Sequence, residues 1–95
     1  MPLQLIQWNI SYSCKIDKIA DFILANIEEH TIVCLQEVLA MHKDRLIERL
    51  APSDYAYSLD YRKPGLFDGK NRRMGVLTML FGGVIEEAKV LDRTV

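Results

Sequence analysis

Two polar side chains, Asn9 and Glu37, stand at the ends of the two sequence runs that most clearly predict β-strands. The run Leu3–Asn9 ends on the amide of Asn9. The run Thr31–Leu35 has an unbroken apolar stretch and is followed two residues later by the carboxylate of Glu37. Amide and carboxylate oxygens are ligands for divalent cations. The pattern predicts that Asn9 and Glu37 hold a divalent metal at one end of a sheet.

The segment between these strands predicts a helix, which would bring the two residues to the same edge. Apolar residues recur there at helical spacing and predict one amphipathic helix over Lys15–Glu29, with Ser13 as its N-cap. A strand–helix–strand unit is a parallel, right-handed crossover in nearly all proteins. Ligands of open α/β sheets bind beside the carboxyl ends of such strands. We therefore expect Asn9 and Glu37 to lie close together.

The remaining sequence predicts further helix and strand segments in one domain spanning residues 1–95. They are a helix over Met41–Leu50, a strand over Tyr55–Tyr61, a buried strand over Met74–Phe81, a turn at Gly82-Gly83 and a return strand over Val84–Leu91. Apolar side chains occupy both faces of the first two strands, which predicts that both faces of the first are at least partly covered and that the second is buried on both faces. The expected fold class is α/β, a mixed β-sheet with helices on one face.

Composition narrows the class of protein. Hydrophobic residues make up 49% of the 95 residues, charged residues make up 26%, and the net charge is −1. This balance gives no support for non-specific nucleic-acid binding. No apolar run approaches the roughly 20 residues of a membrane span, and the N-terminus lacks a signal-peptide pattern. Two cysteines form no disulfide framework, so we expect a cytoplasmic, reducing environment.

A basic loop, RKPGLFDGKNRR, precedes the strand that begins at Met74. Its Lys70, Arg72 and Arg73 are candidates for binding substrate, because basic side chains, and arginine forks in particular, suit phosphate oxygens. The alternative is an ordinary solvated loop.

Three motifs, in order, carry a resemblance to a known family. Trp8–Asn9 closes the first strand, LQEV at Leu35–Val38 closes the second, and GVLTM at Gly75–Met79 follows the basic loop. Together they resemble the N-terminal part of the endonuclease/exonuclease/phosphatase superfamily over essentially all 95 residues. The resemblance implies one half of a DNase I-like four-layer α/β sandwich and metal-dependent hydrolysis of phosphoesters.

The resemblance also implies roles for individual residues. Glu37 matches the family's metal-binding glutamate and Asn9 matches its asparagine near the metal, so both are implied catalytic and metal residues for Mg²⁺ or Mn²⁺. Arg93 lies where the family often carries a basic residue near the substrate. Family members cut DNA or RNA, remove phosphates from inositol lipids or split sphingomyelin, so the implied substrate is a phosphoester, with nucleic acid among the candidates.

The sequence departs from the family in one respect. The family's Asp-x-Asn and its histidine paired with an aspartate come later in its order than the region matched here, and His30 and His42 do not occupy the histidine's place. We therefore expect this chain to be nearly inactive alone, as part of a longer protein or as a natural remnant.

Two other functions stay open. One is a non-catalytic interaction module, a homo-oligomer formed because a lone half-sandwich leaves an apolar sheet face uncovered. The other is an α/β domain of unrelated function in which the motifs occur by chance. For Glu37 the alternative role is a solvated acid after a strand, and for Asn9 it is a turn residue bonded to its own backbone.

Overall fold

The computed structural model describes residues 3–11, 13–60 and 74–85, which form a four-stranded sheet and two α-helices. In chain order the elements are β1 (Gln4–Asn9), α1 (Ile16–Asn26), β2 (Thr31–Leu39), α2 (Ala40–Leu50), β3 (Asp54–Tyr57), a short 3-10 helix (Ser58–Asp60) and β4 (Met74–Phe81). Within these residues neither helix has the length and apolar character needed to cross a membrane.

The sheet is mixed, with the strand order β1-β2-β4-β3. β1 and β2 are parallel and joined by α1, whereas β4 runs antiparallel to both β2 and β3. The predicted parallel pairing of β1 with β2 and the predicted mixed sheet are therefore confirmed. β1 and β3 are the two outer strands, and the pair β2-β4 forms the centre of the sheet.

Both helices pack on one face of this sheet and enclose the core. The core residues are, from the sheet, Val33, Leu35, Val38, Tyr57, Leu77 and Met79, from the helices, Ile16, Ile19, Ala20, Ile23, Leu46 and Leu50, and, just after β1, Ile10. The sheet residues follow the two-residue period of a strand, and α1 supplies its buried residues at a helical period. Burying one such large aliphatic side chain contributes about 1.5–3 kcal/mol.

The opposite face of the sheet is largely open among the described residues. Leu5 on β1 is 63% exposed, and Val76 on β4 is 38% exposed. This face of β1 is therefore covered only in part, and Leu5 stays mostly exposed. The physical reason is that both helices occupy one face, so the same apolar alternation that fills the core also places leucine and valine on the uncovered face.

α1 is shorter than its pattern predicts. It begins at Ile16, after an N-cap at Lys15, and the backbone is already extended at Ile27. Ser13 is not the N-cap, although its hydroxyl accepts a 3.1 Å hydrogen bond from the Lys15 N–H. Phe22, off the apolar stripe, lies edge-on to Trp8 with the ring centroids 5.2 Å apart. The helix therefore extends its packing onto the edge strand through an aromatic pair.

The helix and strands after β2 lie where the sequence predicts them, but some of them differ in length from the prediction. The strand predicted over Tyr55–Tyr61 becomes a 3-10 helix after Tyr57. The helix α2 ends at Leu50, and its C-cap Ala51 has a left-handed conformation with φ 46°. Gly82 has a positive φ of 87°, as a turn requires. The predicted return strand falls mainly on residues 86–91, outside the described residues.

Candidate metal centre

Asn9 and Glu37 lie at the same edge of the sheet, at the carboxyl ends of two neighbouring parallel strands. Asn9 is paired with Gln36, the residue before Glu37. The next N–H along, that of Ile10, donates a 3.1 Å hydrogen bond to the Gln36 carbonyl. Neighbouring strands are about 4.8 Å apart. The structure thus brings together the two residues that the sequence singled out.

Glu37 occupies a β-bulge. Leu35 pairs with Leu77 and Val38 pairs with Gly75, so two residues of β2 lie opposite one residue of β4. In an unbroken strand Glu37 would share the buried face with Leu35. The bulge gives that place to Val38, which is fully buried, and leaves Glu37 half-buried at the sheet edge. Bulges commonly re-aim a side chain in this way.

The backbone of Glu37 is in the left-handed region, with φ 58°. This conformation costs a residue with a side chain about 1–2 kcal/mol, and glycine usually occupies it. The sequence retains a glutamate there. Backbone conformations of this kind cluster at functional sites, because the surrounding structure can hold them when the side chain is needed.

The amide of Asn9 forms a turn with the residues after it. Its Oδ1 accepts hydrogen bonds from the Ser11 backbone N–H at 2.9 Å and from the Ser11 hydroxyl at 3.3 Å. This is the turn role given above as the alternative for Asn9. An amide oxygen has two lone pairs, so a cation at this oxygen would replace one of these contacts, and the longer hydroxyl contact is the weaker of the two.

In the described part of the chain, the carboxylate of Glu37 forms neither a hydrogen bond nor an ion pair. No group of three or more His, Cys, Asp or Glu side chains within ligating distance exists in residues 3–11, 13–60 and 74–85. The two ligands predicted from the sequence are one carboxylate and one amide. Mg²⁺ fits such a set, because it retains several waters and is often held by one or two carboxylates.

A buried tyrosine on β3 contacts the backbone of the bulge. The Tyr57 hydroxyl donates a 2.6 Å hydrogen bond to the carbonyl of Val38. Burial, with the negative charge of Asp60 adding to it, raises the pKa of Tyr57 to about 12, so the hydroxyl keeps its proton at neutral pH. No local sequence pattern predicts this contact, because Tyr57 is on β3 and Val38 is on β2, and β4 lies between these two strands.

A cleft of 350 Å³ lies beside Asn9, between the end of β1 and the start of α1. Apolar walls come from Trp8, Ile19 and Phe22, and two exposed lysines, Lys15 and Lys18, also line it. Across the described residues neither lysine forms an ion pair. The cleft therefore offers an apolar floor and positive charge next to the candidate metal centre.

The arginines of α2 form ion pairs with aspartates of α1 and, in the described part of the chain, not with the candidate metal centre. Arg49 pairs with Asp17 at 2.6 Å and also with Asp21, and Arg45 pairs with Asp17 at 3.2 Å. The Arg49 guanidinium holds the pKa of Asp17 below its usual value, and these carboxylates raise the pKa of Arg49. These contacts fasten α1 to α2.

The other predicted site residues cannot be placed on this edge. Lys70, Arg72, Arg73 and Arg93 lie outside the described residues, so their substrate-binding roles stay predictions. His30, on the turn before β2, and His42, in the first turn of α2, each bury one ring nitrogen that has no hydrogen-bond partner in the described part of the chain. Among the described residues, no hydrogen bond or ion pair joins either histidine to Glu37.

No protein-family model, curated protein or solved structure matches this chain.

Proposed function

We propose that this chain supplies the Mg²⁺-binding part of a phosphoester hydrolase of the endonuclease/exonuclease/phosphatase superfamily, as one half of a DNase I-like sandwich. The observation that carries the proposal is the backbone conformation of Glu37. Its φ is 58°, and it lies on a bulge beside Asn9. The sequence motifs support it independently, because they assign the metal role to the same two residues.

Glu37 and Asn9 would hold Mg²⁺ or Mn²⁺ through oxygen, with water completing the shell. When bound, the metal would supply positive charge to the phosphate oxygens and stabilise the charge that develops on hydrolysis. The bulge would contribute by presenting the carboxylate at the sheet edge rather than in the core. The cleft beside Asn9 would receive the part of the substrate next to the phosphate, with Lys15 and Lys18 attracting its negative charge.

We further propose that hydrolysis needs groups which these 95 residues do not supply. The sequence has no Asp-x-Asn, and no hydrogen bond or ion pair joins either of its two histidines to Glu37 within the described residues. The isolated chain would therefore bind metal and hydrolyse a phosphodiester such as bis(p-nitrophenyl) phosphate at a rate near that of buffer. The direct test is a Mn²⁺ titration of the chain and of its Glu37→Gln variant.

A second candidate function, self-association, is favoured by the uncovered sheet face. Exposed apolar side chains on or beside this face are Leu3, Leu5 and Val76. Between them lie half-buried apolar residues of the central strands, Ile32 and Leu80, in register with Leu5. A continuous apolar patch favours association, and this patch could pack against a second copy of itself. The mass of the chain in solution tests this candidate.

A further inference from the structure

Tyr57 reaches from β3 to the bulge on β2 across the strand between them. Its side chain is 2% exposed, and its backbone pairs with Leu77 of β4. The ring passes Gly75, where an added Cβ would lie 3.3 Å from the ring carbon Cε1 and 2.4 Å from the Ser58 hydroxyl. Gly75 is also the residue paired with Val38. Because Gly75 has no side chain, there is space for the Tyr57 ring to pass, and its hydroxyl can reach the Val38 carbonyl.

Hydrogen bonds hold the chain on both sides of Glu37. The carbonyl before it, that of Gln36, accepts from the Ile10 N–H at 3.1 Å. The carbonyl after it, that of Val38, accepts from the Tyr57 hydroxyl at 2.6 Å. The first donor, Ile10, directly follows β1, the strand that carries Asn9. The second donor, Tyr57, lies on β3, the outer strand at the opposite end of the strand order. A residue in an unfavourable backbone conformation persists when its surroundings fix it in this way.

The ring of Tyr57 is itself fixed from the helix side. The Lys43 ammonium of α2 lies 5.6 Å from the ring centroid, in the range of a cation–π contact, and 3.9 Å from the Asp60 carboxylate. The tyrosine is therefore held between α2 and β4, and its hydroxyl has little freedom to leave the Val38 carbonyl.

We propose that Tyr57 is a positioning residue for Glu37: its hydrogen bond to the Val38 carbonyl fixes the bulge and so sets where the Glu37 carboxylate meets the metal. The inference rests on the proposed function, because it assigns the metal to Glu37. Tyr57 touches neither metal nor substrate in this role. Groups that orient a metal ligand from behind commonly change metal affinity tenfold or more when removed.

The test is Tyr57→Phe in the full 95-residue chain, which removes the hydroxyl and keeps the ring. Tyr55→Phe is the matched control, because Tyr55 is on the same strand and 40% exposed, and its hydroxyl donates no hydrogen bond within the described residues. Mn²⁺ affinity is read from the electron paramagnetic resonance signal of the free ion, and the amide signals of residues 36–38 are compared without metal. We expect Tyr57→Phe to weaken Mn²⁺ binding about tenfold and to move those amide signals, with Tyr55→Phe unchanged.

The two readouts separate this inference from the proposed function. Wild-type Mn²⁺ affinity in folded Tyr57→Phe, together with weaker binding in Glu37→Gln, would overturn the positioning role and leave the metal centre standing. Equal affinity in wild type and Glu37→Gln would instead overturn the metal centre itself. Should Tyr57→Phe fail to fold, Lys43→Gln loosens the same ring while retaining the hydroxyl. We then expect about twofold to threefold weaker binding, and wild-type affinity would contradict the inference.

Discussion

The hydroxyl of Tyr57 bonds the carbonyl of Val38 at 2.6 Å, one residue past the glutamate that departs from regular strand geometry. This contact links the outer strand β3 to the bulge on β2, and Gly75 gives it room to form. The backbone beside Glu37 is therefore held by a side chain on the covered face of the sheet as well as by the neighbouring strand.

Replacing Glu37 with glycine should stabilise the fold while removing the metal ligand. Glycine adopts φ 58° without the strain that a side chain brings, so we expect the free energy of unfolding of Glu37→Gly to exceed that of Glu37→Ala by about 1 kcal/mol. Urea denaturation measures this difference.

A matched control exists at the end of α2. Ala51 also has a positive φ, of 46°, so Ala51→Gly should stabilise the chain by a similar amount without changing its metal affinity. A Glu37→Gly variant less stable than Glu37→Ala would contradict the left-handed backbone conformation of Glu37.

Gly75→Ala should destabilise the chain by about 1–3 kcal/mol, the usual cost of adding a methyl group to a packed site. The new Cβ would meet the Ser58 hydroxyl at 2.4 Å and the Tyr57 ring at 3.3 Å. Gly83→Ala is the matched control, because nothing lies within 4 Å of an added Cβ there. Thermal melts of the two variants should differ clearly, and equal melting temperatures would contradict the packing described around Gly75.

Acid should weaken the contact that Asp17 makes between the two helices. Arg49 lowers the pKa of Asp17 in the folded chain, so the stabilisation is present above the unfolded-state pKa and is lost as the pH falls through the lower, folded-state pKa. The stability difference between wild type and Asp17→Asn should therefore be largest near neutral pH and shrink below about pH 4. Asp44→Asn is the control, because Asp44 is 89% exposed and pairs only with its neighbour Lys43 in the described part of the chain. A pH-independent difference for Asp17→Asn would contradict this role.

Self-association through the uncovered sheet face should respond to a charge placed on that face. Leu5→Lys puts an ammonium on the edge strand, where it opposes packing of one sheet on another. We expect light scattering at high concentration to give a mass above 10.9 kDa for the wild-type chain and near 10.9 kDa for Leu5→Lys.

Leu24→Lys provides the comparison for this experiment, since Leu24 is 41% exposed and lies on α1 rather than on the sheet face. It should associate as the wild type does. A single-chain mass for the wild type at every concentration would rule out self-association.

Sequence reasoning placed Asn9 and Glu37 together because a parallel crossover leaves little choice. Once α1 is recognised from its apolar period, both strands must end at one edge. The bulge could not be predicted in this way. A positive φ is usually signalled by glycine, and positions 36 and 37 are glutamine and glutamate.

Non-local packing explains the other differences. The contact of Tyr57 with Val38 depends on the sheet order β1-β2-β4-β3, which local sequence does not fix. Leu5 is exposed because both helices pack on the other face of the sheet. The sequence pattern of an alternating apolar strand is the same whether its second face is covered or open.

The metal role of Glu37 is tested most directly by comparing Mn²⁺ binding to the wild-type chain and to Glu37→Gln, which keeps the shape of the side chain and removes its charge. Glu48→Gln is the control, because Glu48 is a 75%-exposed carboxylate on α2. We expect the Mn²⁺ dissociation constant to rise about tenfold or more in Glu37→Gln and to stay unchanged in Glu48→Gln, with Mg²⁺ competing for the wild-type site. Equal dissociation constants for wild type and Glu37→Gln would contradict the assignment of this sheet edge as a metal centre.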